Sequence, residues 1–192
     1  MSGAGTGAAP AVVLRLVAPG DEAGAALARM LVREYVEWAA LVALERHGIE
    51  LGFTTDEAVR AAVDDLRGPG ARLYLAEHAG ATGGDGGDGP LGVGGLKPLK
   101  GVAGEVELKR MYVRPAARGL GAGRALLGRL VDDARAAGCS AVRLESATFM
   151  PEALALYRSA GFRDTGPYPG REFHGFSPLD GVSVFMALPL AL

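Results

Sequence analysis

Arg118-Gly119-Leu120-Gly121-Ala122-Gly123 stands where a strand pattern, Glu105 to Val113, gives way, after a turn at Pro115, to a helical pattern. Glycines at such a junction let consecutive backbone N–H groups close on a ligand, and the helix N-terminus adds roughly half a positive charge at the same point. The chemistry this serves is the holding of a phosphate or pyrophosphate. The plainer alternative is three glycines that only make a tight turn. Two familiar phosphate loops are excluded by spacing. No Gly-Lys-Ser/Thr ending follows, as a Walker A loop needs, and Arg124 occupies the place of a dinucleotide fingerprint's last glycine.

Other chemistries find little support. Cys139 is the single cysteine and has no base near it in sequence, so it reads as a small buried side chain rather than a nucleophile. His47, His78 and His174 are isolated, no Cys/His cluster has zinc-ligand spacing, and no metal is expected. Gly80 to Pro90, rich in Gly and Asp, lacks the closing Glu of a calcium loop and is expected to be a flexible hairpin loop. A chain of 192 residues, 49% hydrophobic and 22% charged, is long enough for one core, placed here at 11–192 behind a disordered Gly/Ala-rich tail at 1–10. The lone cysteine fits a reducing, cytoplasmic setting. With 20 Lys+Arg against 22 Asp+Glu there is no broad basic surface for nucleic acid. No run of 18 apolar residues exists, so no membrane span is expected.

The elements that must position the loop follow from periodicity. Val12 to Val17 reads as a strand, and Glu22 to His47 as a long amphipathic helix, broken at most once and stopped by Gly48. Thr54 and Glu57 form a capping-box pattern before a second helix. Strands follow at 71–78, 91–99 and 105–113, then a helix from Gly121 to Ala137, a strand from Ser140 and a helix opened by Pro151. Phe162 onward is extended, and the last strand is Val182 to Leu188. The order β-α-α-β-β-β-α-β-α-β-β implies an α/β (α+β layered) domain, a mixed sheet with helices on both faces. Along 105–113 the apolar parity runs Val106, Leu108 and then shifts by one to Met111, Val113. One bulged residue between 108 and 111 would do this; an ordinary strand buried on both faces is the alternative.

Taken together, Arg118 to Gly123 resembles motif A of the GNAT acyltransferases, and L-Y-R-S-A-G-F at Leu156 to Phe162 resembles that family's motif B. The string Glu107 to Phe162 is similar to many bacterial members. The resemblance implies the GNAT fold, with a sheet splayed at 105–113 and acetyl-coenzyme A (acetyl-CoA) as acyl donor. It puts the donor's pyrophosphate on Arg118, Gly119, Leu120, Gly121, Ala122, Gly123 and Arg124, and its pantetheine arm along the backbone of Met111, Tyr112 and Val113. The Met111 N–H would face the thioester oxygen.

The implied reaction is direct transfer, through a ternary complex, to an amine of a small molecule, peptide or protein. Such an amine, with a pKa near about 10.4, is neutral only about one part in a thousand at pH 7.4, so a base is needed. Glu107 holds the position of the base in some family members, with Glu105 as fallback. Tyr157 holds the motif B position that protonates the leaving thiolate, or else is a core aromatic. Met150 stands where many members have Asn. Lys109 and Arg110 could select an anionic acceptor or pair with Glu107 and Glu105, and Trp38 is either core or acceptor wall. A homodimer is frequent in the family. The alternative function is a coenzyme-binding sensor without turnover.

Overall fold

The computed structural model describes residues 12–51, 54–79, 89–170, 179 and 181–191. The 1–10 tail, His174 and most of the 80–90 and 166–181 loops lie outside them. The elements run β1 (Val12–Leu16), α1 (Glu22–His47), α2 (Asp56–Asp65), β2 (Arg72–His78), β3 (Gly92–Pro98) and β4 (Glu105–Val113). They continue with α3 (Ala122–Ala136), β5 (Ala141–Ala147), α4 (Pro151–Ser159), β6 (Arg163–Thr165) and β7 (Ser183–Pro189). This is the order expected from periodicity.

Helix α1 is continuous. The Asp21 carboxylate accepts from the Gly24 N–H at 2.8 Å at its start, and Gly48, at φ 65°, closes its end with its N–H on Leu44 and Ala43 carbonyls. The capping residue of α2 is Thr55, not Thr54: its hydroxyl accepts from the Ala58 N–H at 3.1 Å. The helix start expected at Thr54 thus moves by one residue. Since Ala58 has no carboxylate to return the bond, Thr55 caps α2 alone.

Among the described residues seven strands form one sheet, in the order β1-β2-β3-β4-β5-β7-β6. All neighbours are antiparallel except β4 and β5, which are parallel. Helices α3 and α4 cover one face, where Leu126, Leu127, Leu130 and Tyr157 join Val106, Leu108 and Leu144 in the larger core. Helices α1 and α2 cover the other, where Leu31, Val32, Val59 and Leu66 meet Leu73, Leu75, Val93 and Tyr112.

The shift of parity in β4 is a bulge. Gly95 opposes Lys109 and Val93 opposes Tyr112, so two residues of β4, Arg110 and Met111, face Gly94 alone. Arg110 carries the strain of it at φ 54°, a conformation uncommon for a residue with a side chain. Before the bulge Val106 and Leu108 point into the α3 side; after it Tyr112 points into the α1 side. Gly94 is needed there because a Cβ would meet the Met111 Sδ at 2.4 Å. Downstream of Glu107 the parallel pairing with β5 stops, having run only from Glu105↔Ala141 to Glu107↔Arg143. The sheet splays open from that point.

Candidate active site

The glycine-rich loop leaves β4 through a short 3-10 turn, Pro115–Ala117. Gly119 at φ 83° and Gly121 at φ 87° occupy the left-handed region, and a Cβ on either would meet nothing within 4 Å. Backbone conformation, not crowding, therefore demands glycine, and the space above the loop is open. Gly121 is the N-cap of α3 and offers no side chain to it. The N–H groups of Ala122, Gly123 and Arg124 thus begin the helix without intrahelical acceptors. Gly123 serves packing instead, because a Cβ there would sit 3.3 Å from Leu156 of α4 and 3.6 Å from Val113 of β4. It lets the start of α3 approach both elements closely. Leu120, Arg118 and Arg124 are exposed.

Helix α1 braces this loop from the other side of the sheet. Glu34 accepts from Arg114 Nε at 2.9 Å and Nη2 at 2.5 Å, Tyr35 packs on Tyr112 with ring centroids 5.9 Å apart, and the Arg118 guanidinium lies 5.8 Å from the Trp38 ring centroid. Trp38 is neither a buried core residue nor remote from the loop. It supports Arg118.

Where β4 and β5 part, a cleft opens. Leu108, Lys109, Arg110 and Met111 form one wall, and Leu144, Glu145 and Ser146 the other; Met150, Ala153 and Tyr157 of α4 and Tyr35 of α1 close it. Met111 and Tyr157 thus share the cleft, with the loop residues beyond the end of β4. Tyr157 is 6% exposed. Burial and then the neighbouring Tyr35 hold its pKa well above the ordinary phenol value, so it keeps its proton. Met150 caps α4 with no side-chain hydrogen bond to the helix, and its sulfur instead accepts from the Ser146 hydroxyl at 3.8 Å.

Glu107 is wholly buried, not a solvated strand-end carboxylate. Its Oε1 accepts from the Tyr168 hydroxyl at 2.9 Å and lies 3.6 Å from the Lys109 ammonium, while Oε2 has no hydrogen-bond partner among the described residues. Desolvation, then the Glu107 charge, drives the Tyr168 pKa far upward. Glu105 is engaged by the Arg143 guanidinium through both Nε and Nη2.

Three participants escaped sequence reasoning. Tyr35 is hidden in the apolar stripe of α1. Glu145 lines the cleft from β5 and accepts from the Ser183 hydroxyl at 3.0 Å. The available signal for it was strand alternation, which puts it on the same side as Arg143. Tyr168 comes from an aperiodic loop with no pattern to mark it. Cys139 is buried, and its thiol pKa is raised by that burial. His47 packs near Phe149, with ring centroids 5.5 Å apart. Among the described residues no three His, Cys, Asp or Glu side chains gather as a metal site would need, and no helix is long and apolar enough to cross a membrane.

Comparison with known proteins adds family context. The model of the acetyltransferase (GNAT) family matches residues 53–162. An N-acetyltransferase of Schizosaccharomyces pombe is 31% identical over 166 residues, covering 85% of this chain and 86% of that protein. An IAA acetyltransferase of Azospirillum brasilense is 49% identical over 84 residues, 44% of this chain; the match spans about half, 51%, of that protein. Among solved structures, a Salmonella typhimurium acetyltransferase with its cofactor acetyl-CoA superposes with a TM-score of 0.60 at 22% identity, covering 94% of this chain and 95% of that one.

Proposed function

As the chain belongs to the acetyltransferase (GNAT) family, we propose that it moves the acetyl group of acetyl-CoA directly onto an amine, with the donor threaded through the gap between β4 and β5. The observation that carries this reading is the conjunction of that gap with an uncapped helix N-terminus: the end of β4 leads through open Gly119 and Gly121 into α3. The coenzyme supplies an activated thioester. The chain's residues do the rest. The loop from Arg118 to Arg124 holds the pyrophosphate, with the N–H groups of Ala122, Gly123 and Arg124 at the start of α3 as donors, since those of Arg118 and Leu120 already donate to the Pro115 and Ala117 carbonyls; the backbone of Met111, Tyr112 and Val113 pairs with the pantetheine arm, the Met111 N–H facing the thioester oxygen.

Amide formation joins the acceptor nitrogen to the acetyl carbon and breaks the carbon–sulfur bond, leaving two proton transfers. Tyr157 gives its proton to the departing sulfur and regains one from solvent; the raised phenol pKa supports a group that is protonated when needed. Glu107 receives the amine proton through solvent, as its depth requires. A second reading is favoured by a specific observation: Glu145, unlike Glu107, forms part of the cleft wall. Separate Glu107→Gln and Glu145→Gln variants decide between them, since the base variant loses the rise of kcat/KM with pH while the other retains it. A reducing, cytoplasmic setting is part of this reading, supported by the single cysteine.

The test is thiol release from acetyl-CoA against an amine panel, with coenzyme affinity measured by calorimetry. Gly121→Val must enter the left-handed region with a branched side chain, and it is expected to abolish coenzyme binding. Normal affinity in that variant would remove the loop from the donor site.

A further inference from the structure

The room where β4 and β5 part is small. The cleft there holds about 50 Å³. One water needs about 10–15 Å³ of cavity, so the cleft admits roughly four water-sized groups. An acetyl thioester brings about that many heavy atoms to its reacting end: sulfur, carbonyl carbon, oxygen and methyl. A butyryl or hexanoyl group brings more than the cleft has room for.

The walls that would have to give way are held from behind. Leu108 and Leu144 are 3% and 1% exposed and belong to the core under α3 and α4. The Tyr35 ring is seated on Tyr112, and its phenol stands near enough to Tyr157 to act on it electrostatically. Met150 packs against the cluster of Ala43, Ala147 and Phe149, with its sulfur on the Ser146 hydroxyl. Lys109 and Arg110 line both the cleft and a larger cavity of about 520 Å³ under α1 and α2. An apolar chain leaving the cleft on that side must pass an ammonium and a guanidinium, at a cost in their solvation.

Resting on the acetyltransferase reading, we propose that Tyr35 and Met150 set the length of acyl group this chain accepts from its donor, stopping it short of butyryl. Both are side chains from outside the two parted strands, so their size can vary while the sheet stays the same. Where apolar space is open, each added methylene tightens binding by about fourfold. Where it meets a packed wall, it forces side chains off their rotamers and binding weakens. The sign of the change with chain length therefore reports the wall.

The test is calorimetric binding of free coenzyme A, acetyl-CoA, butyryl-CoA and hexanoyl-CoA to the full chain and to its Met150→Ala and Tyr35→Leu variants. The unaltered chain should bind butyryl-CoA at least about fivefold more weakly than acetyl-CoA, and hexanoyl-CoA no better than butyryl-CoA. At least one variant should narrow the butyryl-to-acetyl ratio more than about threefold, a gain that a misfolded variant cannot imitate. A smaller penalty in the unaltered chain overturns the proposal, as does a ratio that neither substitution narrows. Free coenzyme A separates the two readings. If it binds and chain length has no effect, the donor site stands and the wall falls; if none of the four binds, both fall.

Discussion

A phenol serves as a proton donor only while it carries its proton, and at Tyr157 burial, followed by the nearby Tyr35, secures this. Because the shift is upward, ionisation of Tyr157 costs the enzyme nothing at neutral or mildly alkaline pH. The alkaline fall of kcat, where one exists below about pH 10, must then come from another group. Tyr157→Phe should lower kcat by about a hundredfold or more and leave coenzyme affinity within a few-fold, read by steady-state kinetics and calorimetry. An unchanged kcat would return Tyr157 to the role of a core aromatic beside Phe162. The acids are divided by environment in the same manner: Glu105 is tied to Arg143, Glu107 to Tyr168, and Glu145 lines the cleft.

Helix α1 does more than cover a sheet face. Three of its residues within little more than one turn, Glu34, Tyr35 and Trp38, reach Arg114, Tyr112 and Arg118 in turn. The helix thereby fixes the end of β4 and the start of the glycine-rich loop as one unit. Trp38→Ala removes the ring beneath Arg118, and a cation–π contact at a partly exposed position is worth about 0.5–1 kcal/mol. Coenzyme affinity should fall about two- to fivefold with little change in kcat; an unaltered Kd would show that Arg118 needs no such support. The bulge in β4 has its own requirement in the facing strand. Gly94→Val places carbon against the Met111 sulfur and should destabilise the fold by about 1–3 kcal/mol, measured from the denaturant midpoint.

At the scale of the whole molecule, the sheet is held closed on either side of one break. Apolar clusters on both faces, α3 and α4 on one and α1 and α2 on the other, clamp it while β4 and β5 stay apart beyond Glu107. In the proposed reaction the donor enters through this break, and its pantetheine takes up backbone groups that the missing strand pairing leaves. Acetyl-CoA at a hundredfold excess over its Kd should therefore stabilise the native state by about 2.7 kcal/mol. That is roughly a 5–10 °C rise in Tm for a chain of this size, readable by calorimetric melting. No shift at saturating coenzyme would argue against a donor site in the folded chain.

What the amino-acid order determined by itself is local. Period 3.6 and period 2 patterns marked the helices, and every strand except β6, to within a residue or two, since each pattern is written in consecutive side chains; β6, short and exposed throughout, had only an extended start at Phe162. The parity slip between Leu108 and Met111 announced the bulge, because one inserted residue must turn all later side chains over. The two motifs, at Arg118 to Gly123 and Leu156 to Phe162, pointed to the family. Tertiary structure alone decided the rest. Glu107 and Tyr168 are 61 positions apart and Tyr157 and Tyr35 are on different elements, yet each pair interacts across the fold. Glu145 faces the cleft, and Lys109 and Arg110 join it to the cavity under α1 and α2. Such meetings depend on how strands splay and helices dock, and the energy of those contacts has no signature in neighbouring residues.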